Sequence, residues 1–134
     1  IIVLSLLIIL PGILYVWANN LADDNIEGTW YNPVDTMTFS SDGSMAESTG
    51  ALIEWRTDDK NLYMVDKDNQ EYEYYFRYEI SDDVLFMAPY DHDLVTIIGE
   101  ECIAYSKSST ATDEDDFSEQ LVRVAWPDWC TPEE

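Results

Sequence analysis

The sequence predicts an all-β protein: an antiparallel meander closing as a small barrel or packing as a sandwich, preceded by an N-terminal transmembrane or signal helix. Three observations carry this. Polar and apolar residues alternate with period two in several short runs, the pattern of a strand with one face in a core and the other in water. Turn-forming residues separate those runs at close intervals. Ile1 to Trp17 carries no charged side chain. A chain of 134 residues suits one domain with extensions rather than two. Its 28 acidic and 6 basic residues give a net charge of −22. Such a surface repels phosphate backbones and argues against a nucleic-acid partner. The hydrophobic content of 46% and aromatic content of 13% are too high for a disordered acidic chain.

Residues 1–18 read as a membrane anchor or signal helix. At the helical rise, Ile1 to Trp17 spans roughly 26 Å, just short of the hydrocarbon thickness of about 30 Å, and further apolar residues upstream would complete a span. Pro11-Gly12 would kink that helix, which lipid-embedded helices tolerate. Val16-Trp17-Ala18 also places small residues as a signal peptidase requires, so secretion is the alternative to anchoring. A filament-forming helix is a third use of the same segment. Residues 19–26 form a linker without Lys or Arg, and the first basic residue of the chain is Arg56. Basic residues mark the cytoplasmic side, so this flank reads as translocated and the rest of the chain as extracytoplasmic.

Residues 27–107 form the antiparallel β domain. Thr36-Met37-Thr38-Phe39-Ser40 alternates, and Ile53, Trp55 and Thr57 interleave with Glu54 and Arg56. From Glu71 to Ser81, residues Tyr72, Tyr74, Phe76, Tyr78 and Ile80 share one face and Glu71, Glu73, Tyr75, Arg77 and Glu79 the other. The first set is expected to face the core. Leu62 to Val65, Val84 to Ala88 and Cys102 to Tyr105 are further short strands. Ser41-Asp42-Gly43-Ser44 is a hairpin turn in which Gly supplies positive φ. Asp58 to Asn61, Lys67 to Asn69, Ser81 to Asp83 and Asp91 to Asp93 are the other turn signals. No helix is expected from Glu27 to Lys107, which disfavours a parallel α/β sheet.

Residues 108–116 are small, polar and then acidic, and read as a solvated linker. Residues 117–134 read as a tail docked on the β domain. Phe117 to Val124 fits a short helix or a last strand, and Trp126-Pro127-Asp128-Trp129-Cys130 sets two tryptophans beside a cysteine. In an oxidising compartment Cys102 and Cys130 are expected to pair, pinning the tail; two buried thiols are the alternative. The bridge would close 28 residues and contribute on the order of 3 kcal/mol in the chain-entropy model.

Catalysis and cofactors have little to stand on. His92 is the only histidine and lies between Asp91 and Asp93 in a turn, where a solvated side chain is the common case. No nucleophile elbow, phosphate-binding loop or zinc-protease motif occurs, and no Cys-x-x-Cys spacing suggests a metal. The acids of Asp91/Asp93 and Asp113 to Asp116 offer oxygens to calcium without an EF-hand loop, and otherwise act as a diffuse counter-ion layer. No enzymatic activity, cofactor or resident metal is therefore expected.

Gly28-Thr29-Trp30, Met37-Thr38-Phe39, Asp42-Gly43, Leu62-Tyr63 and the strand ending at Ile80 together resemble a lipocalin-like β-meander. The acidic, membrane-anchored form is similar to small extracytoplasmic domains of prokaryotes, marine archaea among them. The resemblance covers residues 27–107 and implies that Trp30 closes one barrel end by packing. The leading expectation is a non-enzymatic extracytoplasmic binding or structural module tethered to the membrane. The alternative is a lipocalin-like carrier of a small apolar ligand in a barrel lined by Met37, Phe39, Trp55, Tyr74 and Phe76, unless these residues simply fill the core. A surface filament subunit polymerising through Ile1 to Trp17 is the other.

Self-repulsion of 22 net charges should destabilise the compact state, and salt should relieve it. Crowded carboxylates hold protons more tightly when folded, so stability from this source rises as pH falls through their raised pKa values. The Tm should climb between dilute buffer and molar NaCl and be higher at mildly acidic pH than at pH about 8. A Tm indifferent to NaCl but shifted by micromolar calcium, measured by calorimetry, would overturn the diffuse-charge reading.

Overall fold

The computed structural model describes residues 24–48, 50, 52–66 and 73–132. The segment 1–18 expected to anchor or direct the chain lies outside them, as does most of the following linker. Among the described residues, no helix is long and apolar enough to cross a membrane.

Eight strands form a closed barrel in sequence order. They are β1 (Gly28–Tyr31), β2 (Thr36–Phe39), β3 (Ser44–Glu47), β4 (Leu52–Asp58), β5 (Asn61–Asp66), β6 (Glu73–Ser81), β7 (Val84–Pro89) and β8 (Ile103–Ser106). Every pairing is antiparallel, and β8 returns to β1 at Tyr31 and Ser106. Of the two expected architectures, the meander takes the barrel. The seam is reinforced by the Asn32 amide, which donates to the Ala104 carbonyl at 3.2 Å, and by Lys107 Nζ, which donates to the Glu27 carbonyl at 3.2 Å.

The hairpins follow from their turn residues. Gly43 sits at φ 90°, a conformation that costs a residue with a Cβ, and Asp42 Oδ1 accepts from Ser44 N at 2.9 Å. Asp82 and Asp83 both have positive φ, 50° and 64°. A two-residue turn with that signature matches the right-handed twist of β6 and β7, and Asp tolerates it better than most residues.

The inward face carries the alternation. Trp30, Met37, Phe39, Met45, Ile53, Trp55, Leu62, Met64, Tyr78, Leu85, Met87 and Tyr105 form one buried cluster, to which every strand contributes. In β4 the buried residues are Ile53, Trp55 and Thr57, with Glu54 and Arg56 exposed, as the alternation requires. At the end where the chain enters, Ile26 and Trp30 are fully buried, the Trp30 indole donates to the Ile26 carbonyl at 2.7 Å, and Lys107 Nζ lies 5.0 Å from its ring centre.

In β6 the pattern holds for Tyr78, and Phe76 and Ile80 pack against the cluster. Tyr74 departs from it: it is 44% exposed, at the second residue of the strand, beside the barrel rim. Tyr72 lies outside the described residues.

The outer face of β7 is also buried. Val84, Phe86 and Ala88 join Cys102, Ala104 and Cys130 in a second cluster covered by Phe117, Leu121, Val124 and Trp129. The cover begins earlier than its apolar residues imply. Residues 108–116, read as a linker, contain a 3-10 helix, Ser109–Thr112, with Ala111 fully buried, and then the first turn of α1 (Glu114–Leu121). The acidic run is a helix start. Asp113 accepts a hydrogen bond from the Asp116 amide at 3.1 Å, and Glu114, Asp115 and Asp116 sit at the positive end of the helix dipole. A short 3-10 helix, Gly99–Glu101, also interrupts the expected helix-free region. Cys102 and Cys130 are bridged, with Cα atoms 5.3 Å apart, and the tail is tied again by Thr131 N donating to the Gly99 carbonyl at 3.0 Å.

Two substitutions on the same face of β6 separate core from rim. Tyr78→Asp puts an unpaired carboxylate among buried side chains at a cost of several kcal/mol, comparable with the stability of a small domain. It should unfold the protein in the absence of denaturant. Tyr74→Asp should lower stability by no more than about 1 kcal/mol in a urea titration followed by tryptophan fluorescence. Equal losses at the two positions would place Tyr74 in the core.

Candidate functional site

Of the five side chains expected to line a ligand site, Met37, Phe39 and Trp55 share one buried cluster, Phe76 packs against it, and Tyr74 is 44% exposed. Met37, Phe39 and Trp55 are 3%, 1% and 4% exposed and belong to the barrel core. Phe39 meets Trp55 edge to face at 5.1 Å, and the Trp55 indole donates to the Ser40 and Ser44 carbonyls at 3.1 and 2.9 Å, which fixes its orientation. Tyr74, and Phe76 on its way into the core, also line a recess of about 320 Å³ at the barrel rim, with Glu73, Tyr75, Pro89, Tyr90, Asp91, His92 and Leu94.

The groove exists because β6 starts before β7 ends its pairing. Phe76 stands opposite Pro89, and the Tyr90 amide donates to the Tyr75 carbonyl at 3.1 Å. Beyond that bond the chain turns away through residues 91–96. The loop is shaped by its own polar atoms: the Asp91 amide donates to the Thr96 carbonyl at 2.8 Å, and Leu94 takes a positive φ of 58°. Asp93 Oδ1 accepts from the amides of Val95 and Thr96, each at 2.9 Å, and Oδ2 from the Thr96 hydroxyl at 2.7 Å. Those bonds favour the ionised carboxyl and lower its pKa to about 2. What Asp93 contributes to the loop is thus present above its ordinary value of 3.8 and is lost as pH falls through about 2.

An aromatic row set by strand register leads up to the groove and reaches it at Tyr75. Arg56 stands opposite Tyr63, and Tyr63 opposite Tyr75. The Arg56 guanidinium lies 4.8 Å from the Tyr63 ring centre, and Tyr63 meets Tyr75 edge to face at 4.8 Å. Tyr75 donates its hydroxyl to Glu73 at 3.0 Å, and this hydrogen bond to the carboxylate holds the phenol proton and raises its pKa. Tyr90 donates to Asn61, and burial raises its pKa, with Arg77 acting in the opposite sense. Both phenols are neutral at physiological pH and offer ring faces rather than charge. Tyr63, Tyr75 and Tyr90 were not among the sequence-derived candidates. Their signal was present in Tyr75, an aromatic side chain among the charged residues of the solvent face.

His92 is at the tip of the loop with its side chain 93% exposed and its Nδ1 2.7 Å from Asp91 Oδ1. Among the described residues, no three His, Cys, Asp or Glu side chains are arranged to hold a metal ion.

The connections between β1 and β2 and after β3 bring a second group together. Asp35 Oδ1 accepts from the Thr36 amide at 2.8 Å and the Ser48 hydroxyl at 2.6 Å. Beside it, burial and the neighbouring Asp35 and Asp66 raise the pKa of Glu47. Burial, with Asp35 and Glu47 nearby, also pushes the Tyr105 phenol well above its ordinary value. Comparisons with protein-family models, with curated proteins and with solved structures found no match. The fold and the groove therefore define the molecule as a closed antiparallel barrel with an aromatic rim recess.

The sign of the Glu47 contribution follows from its raised pKa. Its interactions favour folding while it is protonated, below its ordinary value of 4.5, and that advantage is lost as pH rises through the folded value. Glu47→Gln removes the repelling charge and leaves an amide that donates to Asp35. The variant should melt a few degrees higher than the parent at neutral pH, with the difference vanishing below pH about 4. A gain of the same size at both pH values in differential scanning calorimetry would mean that shape, not charge, is responsible.

Proposed function

We propose that the chain is a non-enzymatic binding or structural module, held on the outer face of a membrane by its N-terminal segment, whose binding surface is the rim groove. The observation that carries this reading is the occupation of the barrel interior. Side chains from all eight strands, Trp30, Phe39 and Trp55 among them, form one buried cluster there. A barrel of this strand number is wide enough either to be filled by its own side chains or to hold one small ligand, and the burial of these large side chains favours the first. The groove, by contrast, is open and lined by tyrosines whose faces are not all used within the protein.

Other features support the same reading. The bridge between Cys102 and Cys130 suits an oxidising compartment. His92 is 93% exposed with Asp91 against its ring, a solvated arrangement ill suited to acid-base chemistry. The packing of Trp30 under Lys107 at the entry end is in keeping with the lipocalin-like resemblance. A lipocalin-like carrier would have to seat its ligand among the interior side chains. A filament would depend on residues 1–17, outside the described chain.

Native mass spectrometry of protein taken from its source organism tests the proposal. The chain should be recovered with membranes and show its own mass less two hydrogens for one disulfide. A retained apolar ligand would overturn the module in favour of the carrier. A mature chain beginning at Asn19 in the soluble fraction would replace tethering with secretion.

A further inference from the structure

Three of the chain's six basic side chains end over aromatic rings: Arg56 over Tyr63 at 4.8 Å, Arg77 over Trp129 at 5.4 Å and Lys107 over Trp30 at 5.0 Å. Ring faces thus hold several cations among the described residues, within a strongly acidic chain. The rim groove repeats these ingredients. Tyr74, Tyr75, Tyr90 and Phe76 line it, with the carboxylates of Glu73 and Asp91, and no Lys or Arg is among the described residues that form it. Tyr74 is 44% exposed there, and Tyr75 is the next ring in the row whose neighbour Tyr63 already carries a guanidinium.

From this we infer that the groove binds a small organic cation, an ammonium headgroup seated against the tyrosine rings with Glu73 and Asp91 supplying the counter-charge. The inference rests on the reading of the groove as the binding surface and adds the class of ligand. Ring faces attract a cation through their quadrupole, and the attraction is retained at partly exposed sites. The net charge of −22 raises the local concentration of cations and lowers that of anions. A volume of about 320 Å³ admits a headgroup with a few substituents.

The test is a titration of the full chain with choline chloride, followed by amide and methyl NMR shifts. It is carried out at constant ionic strength and in a polyoxyethylene detergent that carries neither choline nor sugar. Choline should shift resonances of Tyr74, Tyr75, Tyr90 and Leu94 saturably, at millimolar concentration. Its uncharged isostere, with a tert-butyl group in place of trimethylammonium, should bind more weakly by about threefold or more. Tyr75→Leu should weaken choline by about threefold, and so should Glu73→Gln. Because Tyr75 also packs on Tyr63, Tyr74→Leu provides the same test at a side chain outside the core. Equal binding of choline and its isostere at the groove would overturn the cation while leaving the groove as the binding surface. Shifts confined to other parts of the barrel, or none beyond those caused by NaCl, would overturn both.

Discussion

β7 is apolar on both faces, and a strand in that state has to be covered twice. Leu85 and Met87 point into the barrel, where the large side chains of the other strands meet them. Val84, Phe86 and Ala88 point outward and would face water in a bare barrel. The remainder of the chain answers that second requirement. Helix α1 supplies Phe117 and Leu121, and the tail brings Trp126 against Phe86 at 5.0 Å and Trp129 against Arg77. Ordering a segment of this length costs conformational entropy that a few apolar contacts do not offset by themselves. The bridge from Cys102 to Cys130 lowers that cost by keeping the tail near its site in the unfolded chain as well. Gly99 belongs to the same arrangement, since an added Cβ there would come within 2.5 Å of the Trp129 carbonyl oxygen.

Among the described residues, this covering lies on one side of the barrel. The tail lies on the β7 and β8 side, whereas the row from Arg56 through Tyr63 to Tyr75 runs across β4, β5 and β6. Aromatic side chains on that outer face pack on one another and on Arg56. The groove forms where this row meets the loop after β7, whose course is set by the hydrogen bonds of Asp91 and Asp93. The interior and the rim thus have different roles in the fold: one is filled to hold the barrel together, and the other is left with ring faces and carboxylates toward solvent.

Much of this was legible in the residues. The alternation of Ile53, Trp55 and Thr57 with Glu54 and Arg56 gives the inward face directly, because side chains on a strand point to opposite sides in turn. The same rule ranked Tyr74 with Phe76 and Tyr78 and could not separate rim from core, since position along a strand relative to its neighbours depends on register with β5 and β7. Val84 to Ala88 was legible as a strand, and its unbroken apolar character is also the mark of burial on both faces. The acidic run at Asp113 to Asp116 was the most deceptive element. Read as repelling charges it is a linker; read from its first residue it is an Asp cap followed by acids in a first helical turn. Charge count does not distinguish the two, whereas the backbone amides that the carboxylates face do.

By itself, then, the sequence determined the strand faces, the turns and the pairing partner available to each cysteine, because these depend on local periodicity, backbone preference and composition. Tertiary structure alone decided that the meander closes at Tyr31 and Ser106, that Met37, Phe39 and Trp55 are buried in the interior with Phe76 packed against them while Tyr74 stands at the rim, and that Tyr75 joins Tyr63 on one side and Tyr90 in the recess on the other. Those outcomes depend on which residues stand opposite one another across strands far apart in the chain. Register and barrel curvature set that correspondence, and no run of neighbouring residues encodes it.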